Sequence, residues 1–236
     1  MTIDPYAVYA RFYDATQGSR GAQYRYLLGR HHPNARTLLE LACGTGAHLA
    51  LLADDYAVEG LDISRAMLKY ARQRLPGVTF HRLDMVAFKL RKHFDAIVCP
   101  YDSINHLLRL SDWARTFKAA KRHLNPGGVF IFDMNTQYRL KELGNAPPWV
   151  HRFGNNYLVM EVSLLPSGVS EWDIKVFERQ RGRRYRLHHE VIRERGFDNS
   201  RVVDALQAHF DSVRTYDPVK WSRARAGSRR LFYICQ

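Results

Sequence analysis

Small and acidic residues come directly after the first three predicted strands of this sequence. Gly44 and Gly46 follow the first strand, and glycine both permits a sharp backbone turn and leaves room for a ligand. Asp62 ends the second strand, where a carboxylate can accept hydrogen bonds from two ribose hydroxyls. Asp84 follows the third strand, where its carboxylate could accept from an adenine amino group. Because the carboxyl ends of parallel strands meet at one edge of a sheet, these four residues predict a nucleoside-binding crevice.

The elements that would position this crevice alternate between short apolar strands and longer helices. The spacing of apolar residues predicts five strands, at 37–41, 58–62, 78–82, 94–99 and 129–133. The same spacing predicts helices at 47–53, 65–75 and 111–123, and one or two more over 5–30, interrupted at Gly18 and Gly21. Several strands are continuously apolar, which is typical of a parallel sheet covered by helices on both faces.

The pattern changes after about residue 137. Three extended segments, 157–164, 171–178 and 184–195, predict a small antiparallel sheet inserted into the α/β core. A helix at 199–210, capped by Asn199 or Ser200, and two closing strands near 213–216 and 230–234 complete the core. The predicted domains are therefore a core of 1–136 and 199–236 and an insertion of 137–198, which would act as a substrate lid or a dimer contact.

Composition limits the class of protein. The chain has 236 residues, 46% of them hydrophobic and 25% charged, as in soluble globular proteins. Its net charge of +13 would attract anions such as nucleotides, phosphorylated metabolites or nucleic acid. No apolar run reaches the roughly 20 residues that cross a bilayer, and the N-terminus has no signal-peptide pattern. We read the three cysteines as reduced thiols and expect a cytoplasmic protein without membrane contact or a metal site.

The glycine pattern excludes two common nucleotide-binding motifs. A dinucleotide site favours G-x-G-x-x-G, but the third glycine is replaced by Leu49, and no G-K-[ST] phosphate loop follows. Residues 40–46 instead resemble motif I of the class I S-adenosylmethionine-dependent methyltransferases, with Ala42 in place of that family's first glycine. Segments 61–64, 84–85, 94–99 and 124–128 resemble its later motifs in order.

The resemblance implies a fold, a cofactor and a set of site residues. It implies an α/β, Rossmann-like, seven-stranded and mostly parallel sheet with helices on both faces, and S-adenosyl-L-methionine as the cofactor. The residues that it implies for cofactor binding are Tyr13, Glu40, Ala42, Gly44, Gly46, Asp62, Ile63, Asp84, Met85 and Cys99. The catalytic candidates are His106, as a general base, and Tyr13.

Within that family, segments 8–13 and 228–232 are similar to small-molecule N-methyltransferases. That branch implies methyl transfer to an amine nitrogen or a hydroxyl of a small molecule, with an N-terminal tyrosine over the methionine end of the cofactor. Seven arginines between 179 and 195 suggest an anionic acceptor, and the insertion could also support a homodimer. Two alternatives stay open: methylation of RNA or protein, for which the charge is the only indication, and cofactor binding without catalysis.

Overall fold

A computed structural model describes residues 4, 6–16, 21–219 and 221–236. Gly18, one of the two predicted helix breaks, lies outside these residues. Short 3₁₀ turns occur at Tyr9–Arg11 and Ser103–His106. The α-helices in chain order are α1 (Tyr13–Thr16), α2 (Gly21–His31), α3 (Ala47–Ala50), α4 (Arg65–Arg74), α5 (Leu110–Arg122), α6 (Gln137–Gly144) and α7 (Asn199–Gln207).

The main sheet has eight strands in the order β11-β10-β12-β5-β4-β1-β2-β3. Its members are β1 (Thr37–Leu41), β2 (Ala57–Asp62), β3 (Thr79–Arg82), β4 (Phe94–Cys99), β5 (Leu124–Asn135), β10 (Val213–Asp217), β11 (Ser222–Arg223) and β12 (Arg230–Cys235). The first five are parallel, and the last three add antiparallel pairs at one side. The predicted mostly parallel α/β sheet is confirmed. The sequence predicted seven strands, and the structure has eight in this sheet. The additional strand, β11, is two residues long and therefore has no hydrophobic pattern.

Two apolar layers cover the two faces of this sheet. On one face, Trp113 and Phe117 of α5 pack with Phe132 and Tyr233, whose stacked rings lie 4.6 Å apart. On the other face, Tyr24 and Leu27 of α2 are fully buried against the strands. Burial on both faces explains why the central strands read as continuous apolar runs.

A second, antiparallel sheet has four strands in the order β6-β7-β8-β9. They are β6 (Trp149–Phe153), β7 (Asn156–Leu164), β8 (Val169–Arg179) and β9 (Tyr185–Arg195). The sequence predicted the last three strands and missed β6. Trp149 and Val150 are exposed in β6, so this edge strand lacks the alternation of buried and exposed residues that reveals a strand.

The predicted bounds of α4 and α5 agree with the structure to within one residue, whereas α3 ends at Ala50 instead of residue 53 and α6 was not predicted. The Ser64 hydroxyl caps α4 by accepting from the Met67 amide at 3.1 Å, as predicted. Asp198 rather than Asn199 or Ser200 is the residue before α7, and the Asn199 side chain instead accepts from the Tyr233 hydroxyl at 2.8 Å. That helix ends at Gln207. Gly21 begins α2 instead of breaking a helix. A larger residue would not fit at this position, because a Cβ there would lie 2.4 Å from the Leu51 side chain.

The N-terminal segment spans the space between the two sheets. Tyr9 and Phe12 pack against Leu158 and Ile174 on the inner face of the small sheet. The Glu190 carboxylate on β9 accepts from the Tyr9 amide at 2.9 Å and so holds the segment in place. Among the described residues, no helix is both long and apolar enough to span a bilayer.

The Glu190 contact predicts a pH-dependent stability. Burial raises the pKa of this carboxyl to about 7, against an ordinary value of 4.5, although its bond from the Tyr9 amide acts in the opposite direction. The stabilisation by the neutral carboxyl is complete below pH 4.5 and is lost as the pH rises through 7. Glu190→Gln keeps an oxygen acceptor and cannot ionise. Its unfolding free energy should therefore rise relative to the wild type between pH 5 and pH 8 in urea titrations.

Glu161→Gln is the matched control, because Glu161 is exposed on β7 of the same sheet. The difference in unfolding free energy between Glu161→Gln and the wild type should stay constant over this pH range. The prediction would be contradicted if the difference in unfolding free energy between Glu190→Gln and the wild type also stayed constant from pH 5 to pH 8.

Candidate functional site

Three cavities lie side by side at the carboxyl edge of the main sheet and share Tyr13 and Tyr101 in their walls. We name them by one acidic residue in each wall. The Glu40 cavity has a volume of about 290 Å³, the Asp62 cavity about 350 Å³ and the Glu194 cavity about 220 Å³. Tyr13 and Tyr101 line all three, so the cavities adjoin one another at these two side chains.

The glycine loop after β1 shapes the first two cavities. Ala42, Gly44 and Gly46 have φ angles of 52°, 53° and 71°, in the left-handed region that favours glycine. A Cβ on Gly46 would lie 3.3 Å from the Ala71 Cβ, so this glycine lets α4 approach the loop. Ala42 and Gly44 line both the Glu40 and the Asp62 cavities. The loop therefore presents backbone with small side chains to a ligand.

Asp62 at the end of β2 is held by backbone amides on both sides. Its Oδ2 accepts from the Gly44 amide and its Oδ1 from the Ser64 amide, each at 2.8 Å. Burial raises its pKa to about 6, while these two hydrogen bonds act in the opposite direction. Each carboxylate oxygen can accept a further hydrogen bond, so Asp62 can bind a ligand with two neighbouring hydroxyls.

Glu40 and His48 form a buried pair in the wall of the Glu40 cavity. Glu40 Oε2 accepts from His48 Nδ1 at 2.7 Å, and the two residues are 1% and 4% exposed. His48 Nε2 is buried and has no hydrogen-bond partner among the described residues. With its proton on Nδ1, the ring carries an acceptor lone pair at Nε2. Because this nitrogen lacks a hydrogen-bond partner and lies near the Glu40 carboxylate, the pair suits a ligand with a positively charged hydrogen-bond donor.

Sequence reasoning missed His48, although its position was informative. It is the second residue of the helix that follows the glycine loop, and the sequence indicated that the loop and the start of this helix border the ligand. What the sequence could not show is that Glu40, on β1, lies within hydrogen-bond distance of it.

Asp133 on β5 holds the loop that carries Tyr101 and Asp102. Its carboxylate accepts from the Tyr101 amide at 2.9 Å and from the Asp102 amide at 3.2 Å. Tyr101 and Asp102 have φ angles of 59° and 54°, a conformation that is unfavourable for residues other than glycine and needs such support. The Tyr24 hydroxyl also donates to Asp133, at 2.5 Å, and Arg230 pairs with it.

The Glu194 cavity ends in a network of polar side chains. The Asn135 amide donates to Asp102 Oδ2 at 2.8 Å and to Glu194 Oε2 at 3.1 Å. Arg230 bonds to Asp102 at 2.6 Å, and its other nitrogen donates to Asn135 Oδ1 at 2.8 Å. Burial, and then the nearby Asp102 carboxylate, raise the pKa of Glu194 well above its ordinary value. Glu194 and Arg230 were not predicted, because their strands, β9 and β12, lie far along the chain from the loop that carries Asp102.

His106 and Tyr13, the two catalytic candidates, both line the Asp62 and Glu194 cavities. His106 Nδ1 lies 3.2 Å from the Arg193 carbonyl oxygen, and its Nε2 lies 3.0 Å from the Tyr6 hydroxyl. Burial lowers the pKa of His106 and raises that of Tyr13. Both side chains are therefore neutral near pH 7, and His106 Nε2 can accept a proton from a ligand only if Tyr6 moves away.

The structure brings most of the predicted site residues together. Those that line the Asp62 cavity are Tyr13, Ala42, Gly44, Asp62, Ile63, Met85 and His106. Asp84 lies elsewhere: it is exposed, accepts from the Val86 amide at 2.9 Å and lines a neighbouring groove of about 650 Å³ that also contacts His106. Cys99 is fully buried in the core below the site. Gly46 supports the contact with α4 rather than lining a cavity.

Part of the chain matches a known protein family. Residues 38–128 match the family described as "Methyltransferase domain". Over 144 residues the chain is 37% identical to the dTDP-3-amino-3,6-dideoxy-alpha-D-glucopyranose N,N-dimethyltransferase of Streptomyces fradiae. The match covers 56% of this chain and 56% of that protein, so the chain matches just over half the length of this curated relative.

Two solved structures are similar over nearly the whole chain. The structure of Streptomyces venezuelae DesVI has a TM-score of 0.82 at 24% identity, covering 100% of this chain and 99% of that one. The S-adenosylmethionine-bound structure of CalS10, an amino pentose methyltransferase from Micromonospora echinaspora, has a TM-score of 0.77 at 25% identity, covering 97% of each. These matches agree with the resemblance found in the sequence: residues 38–128 match a methyltransferase domain, and the fold is similar to that of an amino pentose methyltransferase with bound S-adenosylmethionine.

Proposed function

We propose that this protein transfers a methyl group from S-adenosylmethionine to an amine nitrogen of a small molecule. The observation that carries the proposal is the meeting of three cavities at Tyr13 and Tyr101, two of which suit the two ends of the cofactor. The third would hold the acceptor. The similarity to an amino-sugar N,N-dimethyltransferase supports an amine rather than a hydroxyl as the acceptor group.

The Asp62 cavity fits the adenosine part of the cofactor. Asp62 would accept from the two ribose hydroxyls, since each of its oxygens has only one hydrogen bond among those described. The side chains of Ile63 and Met85 line the same cavity and would pack against the adenine ring. Asp84 lines the neighbouring groove instead, so the proposal assigns it no contact with the adenine ring.

The Glu40 cavity fits the amino-acid end of the cofactor. Glu40 and the orphaned Nε2 of His48 would both accept from the cofactor's ammonium group. Tyr13 and Tyr101 would then flank the sulfonium at the junction of the cavities. Bound S-adenosylmethionine supplies an electrophilic methyl carbon, to which the acceptor's lone pair forms a bond while the C–S electron pair stays on sulfur.

The protein's part in this reaction is to orient the reactants and exclude water. Holding two reactants in line can contribute roughly 7–11 kcal/mol to lowering the barrier. Tyr6, Tyr9 and Tyr13 of the N-terminal segment line the Glu194 cavity, as do Met160 and Trp172 of the small sheet. We infer that this segment and the insertion act together as a lid over the acceptor.

The proposal also includes a homodimer and an anionic group on the acceptor at a different position from its amine. An anionic group would meet Arg139, which lines the Glu194 cavity and whose side chain is 36% exposed. The five arginines at the tip of the β8–β9 hairpin line none of the three cavities. Exposed Val150 and Leu187 on the small sheet favour a dimer contact there. The buried, unpaired cysteines are consistent with our inference of a cytoplasmic location.

The role of Asp62 can be tested by measuring cofactor-product affinity. Asp62→Asn replaces a charged acceptor by a neutral one, and hydrogen bonds to charged groups are stronger by about 1–1.5 kcal/mol. We expect the affinity for S-adenosylhomocysteine to fall about tenfold, as measured by isothermal titration calorimetry.

Glu59→Gln is the control, because Glu59 lies on the same strand and bonds to His81 and Lys92 instead of lining a cavity. Its affinity should stay within about twofold of the wild type. Thermal unfolding of each variant shows whether it is folded. Equal affinities of folded Asp62→Asn and wild type would contradict the assigned role.

The activity itself can be tested with a defined acceptor. The protein is incubated with methyl-labelled S-adenosylmethionine and dTDP-3-amino-3,6-dideoxy-α-D-glucose, or with a panel of simpler primary amines, and products are identified by mass spectrometry. We expect label on nitrogen. Binding of S-adenosylhomocysteine without transfer to any amine would contradict the proposal and favour a non-catalytic protein, whereas label in added RNA or protein would favour the macromolecular alternative.

A further inference from the structure

The polar end of the Glu194 cavity is acidic, although the protein as a whole is strongly basic. Two carboxylates, those of Asp102 and Glu194, line this end beside the guanidinium of Arg230, and a third, that of Asp133, pairs with Arg230 without lining the cavity. Arg139, the other arginine in this wall, lies 3.6 Å from Glu142. The cavity's charges therefore suit a cation better than an anion.

Arg230 forms ion pairs with two of these three carboxylates. It is paired with Asp102 and with Asp133, and its remaining described bond goes to the Asn135 side-chain oxygen. No Lys or Arg among the described residues forms an ion pair with Glu194, whose side chain bonds to the Asn135 amide at 3.1 Å and also to the Asp102 carboxyl group. Glu194 is 3% exposed. A buried carboxylate without its own cation is costly, so in the absence of a ligand it takes up a proton.

The rest of the cavity indicates what kind of cation would fit. The small sheet, which carries Glu194, also contributes the side chains of Met160, Trp172, Ile174 and Ile192 to the wall. The rings of Tyr6, Tyr9, Tyr13 and Tyr101 complete it, and aromatic faces attract cations. This arrangement suits an amine with an apolar body, whose ammonium group points towards Glu194.

We propose that Glu194 binds the ammonium group of the acceptor and takes the proton that the nitrogen must lose before it is methylated. The proposal rests on the proposed function, because the cavity opens onto Tyr13 and Tyr101, where the methyl group would lie. It assigns a residue that contacts the substrate, and it places the acceptor among cationic amines.

The proton balance is simple. The acceptor arrives as an ammonium ion, and one N–H proton moves to a Glu194 carboxylate oxygen while the N–H electron pair stays on nitrogen. The nitrogen then has the lone pair that methyl transfer needs, and Glu194 later returns its proton to solvent. Burial and the nearby Asp102 raise the pKa of Glu194 towards that of an amine, which makes the transfer easier.

Other groups around Glu194 are neutral or already paired. Burial lowers the pKa of His106 and raises that of Tyr6, so neither carries charge near pH 7. Asp102 and Asp133 face Glu194 from the loop after β4 and from β5, and Arg230 faces it from β12. In the free protein Glu194 is therefore the group that gives up a proton when a cation enters the cavity.

The test measures probe binding rather than turnover. The protein, with and without saturating S-adenosylhomocysteine, is titrated calorimetrically with 2-phenylethylammonium, 2-phenylethanol and phenylacetate, in two buffers of different ionisation enthalpy at pH 6.5. We expect the ammonium probe to bind most tightly and to release protons into the buffer. In Glu194→Gln the affinity for this probe should fall about tenfold to a hundredfold without proton release, while that for the alcohol is unchanged.

Two further variants keep the result interpretable. Glu194→Asp retains the charge and should retain proton release, with intermediate affinity. Glu161→Gln removes one negative charge from the exposed side of the small sheet and should behave like the wild type. The proposal is overturned if the ammonium probe does not bind, if the three probes bind alike, or if folded Glu194→Gln matches the wild type. If the wild-type protein does not bind S-adenosylhomocysteine, the proposed function itself is contradicted.

Discussion

The Asp133 carboxylate is the interaction on which the arrangement of the site depends. It ties the loop after β4 to β5, to the last strand through Arg230, and to α2 through the Tyr24 hydroxyl. Without these bonds, Tyr101 and Asp102 would lose the support for their left-handed backbone conformation. The wall shared by all three cavities is therefore set by one buried, fully engaged carboxylate. Its surroundings combine charge pairing with hydrogen bonds, as a buried charge requires.

The two sheets contribute differently to the site. The main sheet supplies the glycine loop, Asp62 and the loop after β4 from the ends of adjacent parallel strands, where open α/β sheets bind ligands. The small sheet supplies an apolar wall and, at the end of β9, Glu194. The N-terminal segment lies between them, so the Glu194 cavity forms only when all three parts are assembled. If this cavity holds the acceptor as proposed, the acceptor wall comes mostly from outside the main sheet.

The sequence predicted the main sheet well because its signals are local. Apolar runs revealed the central strands, and the glycines and Asp62 at the strand ends marked the edge that binds ligands. It predicted Asp84 less well, because the sequence places a residue after a strand but does not show which cavity its side chain lines. Glu194 and Arg230 could not be predicted, because their contacts with the site join elements far apart in sequence. The pairing of Glu40 with His48 could not be predicted either, because it depends on how the glycine loop turns between β1 and α3.

The central claim is that the cofactor's two ends occupy the Glu40 and Asp62 cavities, with its sulfur between Tyr13 and Tyr101. A crystal structure of the complex with S-adenosylhomocysteine tests this most directly. The account predicts ribose hydroxyls within hydrogen-bond distance of Asp62, the ammonium group beside Glu40 and His48, and the sulfur facing the Glu194 cavity. A ligand bound elsewhere, or one whose sulfur points away from that cavity, would contradict it.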